Sequence, residues 1–374
     1  MVNRQPSSYQ LTNLPTHQFS KILLVRLRQI GDVVFTTPAI HALRQRFPDA
    51  HLSYVVEPAA APIVQHNPHL DQVIVAPRAR GVRGLLGDLA LGRRLRAERY
   101  DLAIDFHGGP RASLLTWLSG APERVGYDVA ARGWMYTRRI ARPRALRPRH
   151  SVENQFDLLA PFGIAPPDRS ALPMEMIADT AAAAAVADRL ARAGIAAGDR
   201  LVVIHVSAGN PFRRWPAAHF IDLAVSLAAG DPARRVIVTS GPSEHDAAGG
   251  VIAGARARLG DARADRVLSC GEFLLGELRA LLDRASVYIG GDSGPLHVAS
   301  TTGVPIVGLY GPTLPVRSAP WRAATWMTVS VDAGELPCRP CDQRVCEPGD
   351  FRCLTTITVA QVRSAAERAL AWTG

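Results

Sequence analysis

A single carboxylate, Asp32, stands on a turn at Gly31, where the apolar run beginning at Lys21 gives way to a helical pattern from Val33 to Ile40. In open α/β sheets ligands collect beyond the carboxyl ends of strands, where such turns lie. A carboxylate there has two physical uses. It can take the proton of an incoming hydroxyl, or it can accept amide hydrogen bonds and cap the helix that follows. This segment alone supports both.

The second half carries more specific chemistry. Val287 to Ser300 reads as a strand, a glycine-rich turn and a helix, with Gly290, Gly291, Asp292, Ser293, Gly294, Pro295 and His297 in sequence. Glycines admit a ligand close to the backbone, and a helix start offers unpaired amides to an anion. Asp292 and Ser293 suit sugar hydroxyls, and His297 lies one turn into the helix. The turn lacks the spacing and the Lys-Ser/Thr pair of a Walker loop, and it is no dinucleotide fingerprint. Upstream, the strand-like run Leu201 to Val206 enters Ser207-Ala208-Gly209-Asn210-Pro211-Phe212-Arg213-Arg214-Trp215-Pro216. Arginines beside loop amides and the Ser207 hydroxyl make a diphosphate clamp. A third run, Val236 to Ser240, ends at Gly241-Pro242-Ser243-Glu244, which puts Glu244 where a ribose hydroxyl can be held. Three strand ends with these groups converge on a sugar nucleotide.

Such groups need elements to position them. At 374 residues the chain fits two domains. Strand-like runs at 21–26, 51–56, 72–75 and 101–105 alternate with helical patterns, and after a proline-rich stretch the alternation restarts at 201–206, 235–240, 286–290 and 304–310. This is the pattern of βαβ units. The expected fold is α/β, with two Rossmann-like doubly wound domains facing a cleft. Residues 1–20 form a tail, 21–170 the first domain, 171–357 the second with a cysteine-rich loop at 337–353, and 358–374 a last helix. Segment 165–175 is the expected linker. Residues 178–193 are alanine-rich and helical, ending at Gly194 as a C′ glycine.

The net charge of +10 is uneven: residues 1–175 hold 23 Lys and Arg against 14 Asp and Glu, and the remainder 20 against 19. Arg93, Arg94, Arg96 and Arg99 form one cluster, and Arg138, Arg139, Arg142, Arg144, Arg147 and Arg149 another. Arginine clusters suit phosphates on lipid, glycan or nucleic acid, or form a solvated face. Aromatic residues are not interleaved as single-stranded nucleic acid requires, so a membrane surface is favoured and nucleic acid is not. No apolar run is long enough to span a bilayer. Residues 1–20 are polar and lack the apolar core of a secretion signal, so the expected location is cytoplasmic. Cys338, Cys341, Cys346 and Cys353 are spaced C-x2-C-x4-C-x6-C, whereas Cys270 stands apart. Four thiols this close suit a small structural zinc or iron site; reduced thiols or a disulfide are the alternatives.

The chain resembles glycosyltransferase family 9, the ADP-heptose:lipopolysaccharide heptosyltransferases. The likeness rests on Ile30-Gly31-Asp32 with Thr37-Pro38 and Arg44 through Pro48, on Arg213-Arg214-Trp215-Pro216, on Gly241-Pro242-Ser243-Glu244, and on Gly290 through His297. It covers about residues 21–372. The resemblance implies a GT-B arrangement, with the acceptor on the first domain and the donor ADP-heptose on the second. It also implies an inverting transfer that needs no cofactor, made to a lipopolysaccharide core acceptor, an anionic phosphorylated glycolipid, at the inner face of the cytoplasmic membrane. By that likeness Asp32 is the general base. Arg213 stands where many members have a diphosphate-steadying lysine, Ser207 lies near the phosphates, Glu244 meets the ribose, and Asp292 meets the heptose or phosphate side. Pro295 departs from members with leucine there and removes an amide, leaving Gly294, Leu296 and His297 for the phosphates. Transfer from another sugar nucleotide or to another acceptor (a protein or a natural product), epimerisation of the donor, or a non-catalytic module binding anionic surfaces are the competing expectations.

Overall fold

The computed structural model describes residues 18–79, 81–141 and 149–373. Most of the proposed tail, and Arg142, Arg144 and Arg147 of the second arginine cluster, lie outside the described residues.

Two parallel six-stranded sheets organise the chain. The first contains β1 (Lys21–Val25), β2 (His51–Val56), β3 (Gln72–Val75), β4 (Leu102–Asp105), β5 (Glu123–Tyr127) and β6 (Arg138–Ile140) in the order β3-β2-β1-β4-β5-β6. The second contains β7 (Arg200–His205), β8 (Arg234–Thr239), β9 (Val267–Leu268), β10 (Val287–Gly291), β11 (Ile306–Tyr310) and β12 (Thr328–Asp332) in the order β12-β11-β10-β7-β8-β9. The central strands are buried along their length (Ile22, Leu23, Leu24 and Val25 in β1; Val202, Val203 and Ile204 in β7), because helices cover both sheet faces. That is why they read as continuous apolar runs. Strands β5, β6, β9 and β12 are short or partly polar and give no such signal.

In each sheet the connections reverse beside the first strand, between β1 and β4 and between β7 and β10. These switch points open crevices beyond the strand ends, and the residues singled out above follow β1, β7, β8 and β10. The alanine-rich helix runs Thr180–Arg192, with the Asp179 carboxylate accepting from the Ala181 N–H at 2.8 Å and Gly194 at φ +75°. Val186 and Leu190 bury its one apolar stripe.

Residues 164–179 contain no helix or strand. This crossover segment is nonetheless packed: Leu172, Met174 and Met176 are buried, and the Met174 N–H donates to the Trp321 carbonyl at 3.1 Å. The last helix, Val359–Leu370, packs against the second sheet with Val362, Ala365, Ala366 and Ala369 buried.

Candidate active site

After β1 the chain turns through Arg26–Gln29 and starts a one-turn helix at Ile30, so Asp32 sits inside the first turn rather than ahead of it. Its Oδ2 accepts the Gln29 N–H at 3.2 Å and pairs with Arg26 Nη2 at 2.6 Å. The capping geometry is therefore present. It uses only one oxygen: Oδ1 has no partner among the described residues, and the side chain is 42% exposed. One oxygen of Asp32 is fixed and the other is left unpaired.

A neighbouring turn, which the sequence pattern did not single out, completes this wall. Asp105 ends β4 and is fully buried. Its carboxylate accepts from the His107 and Gly108 amides at 2.7 and 2.9 Å and from the Tyr136 hydroxyl at 2.6 Å. Burial raises its pKa against the pull of those donors. They hold the Asp105–Pro110 turn so that His107 lies within the fields of Arg26 and Asp32. Burial first, then Arg26, lowers the His107 pKa to about 4, so the ring is neutral near pH 7; its Nδ1 is buried without a partner. The signal was available: a strand end followed by His-Gly-Gly-Pro repeats the logic of residues 290–295.

On the second domain the expected donor residues fall into two linked groups. Ser207, buried after β7, accepts the Gly241 N–H at 2.7 Å and lies 2.9 Å from His205 Nε2. Glu244 is buried and ion-paired to Arg214, whose Nε donates to the Ala208 carbonyl at 3.0 Å. The β7 and β8 loops are thus clamped together beside Gly241, whose missing Cβ leaves both Ser207 Oγ and Glu244 Oε2 3.6 Å from that position.

The other group surrounds Asp292. Its Oδ2 accepts from Thr313 Oγ1 at 2.6 Å and pairs with Arg213 Nη1 at 3.3 Å, while Oδ1 lies 3.5 Å from His297 Nε2. Burial opposes ionisation, but His297, Arg213 and Thr313 outweigh it and hold the pKa at about 2. The Asp292 side chain is 3% exposed and that of Arg213 31%. The guanidinium, not the carboxylate, is thus the group that reaches the cleft. Arg213 Nε also donates to Gln343 Oε1 at 2.7 Å, and Asn210 Nδ2 donates to the same oxygen at 3.0 Å. Ser293 Oγ is buried without a partner, and the Leu296 N–H is engaged by the Ser293 carbonyl at 3.1 Å. Of the backbone donors expected at this helix start, Leu296 is therefore already used within the turn.

The two walls touch. The helix Gly294–Ala299 packs on the helix Ile30–Val34, with Gly294 against Ile30 and the His297 ring against Gly31. The His297 and Phe35 rings are 4.5 Å apart, Phe35 meets His150 at 5.4 Å, and His150 meets Trp321 at 4.8 Å. One buried aromatic row therefore fixes the Asp32 helix relative to the Asp292 turn.

The cysteine-rich loop gives the second domain its Gln343. Cys338, Cys341, Cys346 and Cys353 are free thiols lining one cavity of about 320 Å³ with Phe212 and Phe351. Burial, then the nearby sulfurs of Cys341, Cys338 and Cys346, push the Cys353 thiol up to about 11. Four thiols around one cavity are the donor set of a thiophilic ion. Their spacing is looser than such an ion imposes, since no three of the sulfurs lie mutually within 4.8 Å.

Residues 89–348 match the family described as glycosyltransferase family 9 (heptosyltransferase). The chain is 28% identical to lipopolysaccharide heptosyltransferase 3 of Escherichia coli over 323 residues, 85% of this chain and 91% of that protein. Among solved structures it is similar to a glycosyl transferase family 9 protein from Veillonella parvula (TM-score 0.78, 24% identity, 94% of this chain and 97% of that one). It is also similar to an E. coli heptosyltransferase solved with ADP-2-deoxy-2-fluoro heptose (TM-score 0.64, 21% identity, 93% and 99%).

Proposed function

The chain belongs to glycosyltransferase family 9, the heptosyltransferases, and from that membership we propose that it moves a heptose from ADP-heptose to the core of a lipopolysaccharide acceptor. The observation that carries the reading is the pairing of walls. A half-buried carboxylate with one oxygen unpaired, Asp32, stands on the first domain, and a partly exposed guanidinium, that of Arg213, stands on the second, braced by Asp292 and Gln343.

In the proposed step the acceptor hydroxyl attacks the anomeric carbon, its proton passes to Asp32 Oδ1, and the bond from the anomeric carbon to the diphosphate oxygen breaks with the electron pair leaving on ADP. Arg26 and the Gln29 amide hold Asp32 in place through its other oxygen. Arg213 and Arg214 face the charge that grows on the departing diphosphate, assisted by Ser293 Oγ and the amides of Gly294 and His297. Fixed cations and amides of this kind stabilise a leaving diphosphate without a metal. Glu244 takes a ribose hydroxyl by exchanging part of its pairing with Arg214. Ser207 holds the β7 and β8 loops at the spacing the diphosphate needs, and Asp292 acts by orienting Arg213. Attack from the face opposite the diphosphate inverts the anomeric centre.

We assign the acceptor to the first domain, residues 21–170, and the donor to the second, residues 171–357. The acceptor's anionic glycolipid, at the inner face of the cytoplasmic membrane, accounts for the arginine excess of the first half. The helix Gly81–Ala97 supports this. Val82, Leu85 and Leu86 project into solvent, at 74, 54 and 60% exposure, from the helix that carries Arg83, Arg93 and Arg94. An exposed apolar edge with arginines beside it suits an anionic leaflet. Among the described residues no helix is long and apolar enough to cross a membrane. We also assign a structural zinc or iron ion to Cys338, Cys341, Cys346 and Cys353, outside the transfer chemistry; binding it would draw the four sulfurs closer than they stand.

A product assay tests the reading. Purified protein with ADP-heptose and a panel of truncated core glycolipids yields one heptosylated product; turnover with a uridine sugar nucleotide in preference to ADP-heptose defeats the donor assignment.

A further inference from the structure

Away from the cleft, three side chains meet where the crossover segment lies on the first domain. His41 stands on the helix Thr37–Arg46, His69 in the turn before β3, and Glu175 in the crossover. Their donor atoms all lie within 4.8 Å of one another, and no other set of three or more His, Cys, Asp or Glu residues among the described residues achieves this. His41 Nδ1 is 3.0 Å from Glu175 Oε1, and His69 Nε2 is 3.4 Å from Glu175 Oε2. In a tetrahedral site with ligand bonds of about 2.0–2.1 Å, neighbouring donor atoms stand roughly 3.3 Å apart. The two observed edges are already close to that value.

The three groups are held from outside. The His69 N–H donates to Asn67 Oδ1 at 2.9 Å, and Arg44 Nε donates to the His69 carbonyl at 3.2 Å. Arg44 is the nearby cation, and its own charge is met by Asp71 at 2.6 Å. The Glu175 N–H donates to Thr37 Oγ1 at 2.9 Å. The Gln45 amide lies 3.1 Å from His41 Nε2. Turned to present its oxygen, an assignment the heavy atoms leave free, it would accept the Nε2–H of a ring bound through Nδ1. That is the usual outer support of a metal-bound imidazole.

The arrangement is poorly explained as a plain ion-pair network. The imidazoles are stacked with centroids 4.0 Å apart and planes 15° from parallel. Two cations cannot share that stack cheaply, so one carboxylate is matched to at most one charged ring. Glu175 Oε2 is buried, and it makes no hydrogen bond of good geometry. The nitrogen lone pairs lie in the ring planes, so the two rings turn out of this stack to share one ion, which then meets both nitrogens and the carboxylate.

We propose that His41, His69 and Glu175 bind Zn²⁺ or a similar borderline divalent transition ion. Three protein ligands leave a coordination position for water. The ion pins the crossover to the helix Thr37–Arg46. Because the adjacent Met174 N–H reaches Trp321 in the second domain, the same pin braces the connection between the two domains. This site shares no residue with the cleft or with the cysteine loop, so it stands whether or not the transfer reading does.

Co²⁺ is the probe, since its visible bands separate nitrogen and oxygen ligation from thiolate ligation. Full-length wild type, Glu175→Gln and the double variant His41→Ala/His69→Ala are titrated with Co²⁺, with circular dichroism as the check on folding. Wild type takes up a Co²⁺ ion whose spectrum lacks thiolate charge transfer. Glu175→Gln weakens that uptake by at least about tenfold, a typical cost of disturbing a metal shell, and the double variant abolishes it, while any thiolate-bound Co²⁺ is unchanged. Equal uptake in wild type and Glu175→Gln, or uptake in wild type through thiolates only, overturns the assignment. Should the double variant fail to fold, the comparison with Glu175→Gln decides.

Discussion

The His297 imidazole lies against the α-carbon of Gly31: a Cβ built there would come within 2.4 Å of His297 Cδ2. The same ring sits 3.5 Å from Asp292 Oδ1. One buried histidine thus joins the helix that carries Asp32 to the turn that holds Arg213, and glycine at position 31 is what lets the two approach. Gly31→Ala must push the walls apart or displace the ring. A misplacement of about 1 Å between reacting groups costs on the order of 10²-fold in rate. We expect kcat to fall by about that factor with circular dichroism unchanged. Wild-type kcat in Gly31→Ala would show that this contact does not set the cleft.

Asp32 is bound through one oxygen and open through the other, so Asp32→Asn separates positioning from proton transfer. The amide retains the shape of the turn and loses the base. Removal of a general base costs about 10²–10⁴-fold, and we expect kcat to fall in that range while the affinity for ADP, measured by calorimetry, stays within twofold. The donor groups lie on the other wall and do not need the carboxylate. A variant that keeps more than a tenth of wild-type kcat would remove the base assignment.

The residues of the fold and of the cleft differ in how legible they are in the sequence. Eight strands were readable as apolar runs, the central ones because they are covered on both faces, and Asp32, Glu244 and Asp292 were readable because each follows such a run at a glycine. β5, β6, β9 and β12 were not: β9 has only two residues, and the other three carry charged residues within runs of three to five, with β6, β9 and β12 at sheet edges where apolar continuity is not needed. The partition of labour among site residues was also invisible. Asp292 attracts attention as an acid in a glycine loop, yet only coordinates reveal that it is enclosed by Thr313, Arg213 and His297. Gln343 gave no signal at all: its contact with Arg213 spans 130 positions of sequence. Long-range pairings of this kind are set by topology and leave no local pattern.

Acid stability follows from buried histidines. Burial lowers His107, His150 and His205 from 6.5 to about 4. Between those values the unfolded chain binds protons that the native state excludes, so stability is full above about pH 6.5 and declines as pH falls towards 4. Asp292, held at about 2, adds a second stage: its contribution is present above the ordinary carboxylate range near 3.8 and is lost as pH falls towards 2. Urea midpoints should therefore drop between pH 7 and 5 and again below 4, with a smaller second drop in Asp292→Asn, since Asp71, Asp101 and Glu367 are also held below the ordinary carboxylate range. A midpoint that does not change from pH 7 to 5 contradicts the histidine account.

The cysteine loop bears on donor binding through Gln343, whose Oε1 holds both Arg213 Nε and Asn210 Nδ2. Arg339 ties the start of the same loop to the Thr313 carbonyl at 2.9 Å and to Asp332 at 3.1 Å, and the Cys341 N–H donates to the Pro312 carbonyl at 3.3 Å; the Phe212–Phe351 contact and the thiols lie further along it. If a metal closes the four thiols, its loss loosens Gln343 and with it the guanidinium that meets the diphosphate. Purified protein should carry zinc or iron, measured by plasma mass spectrometry, and Cys338→Ser/Cys341→Ser should lose it. The same variant should bind ADP several-fold more weakly, as should Gln343→Ala, which leaves the thiols intact. Protein that is free of zinc and iron, with all four thiols titratable, would end the metal assignment, and weakened ADP binding by Gln343→Ala alone would then confine the loop's role to the hydrogen bond on Arg213.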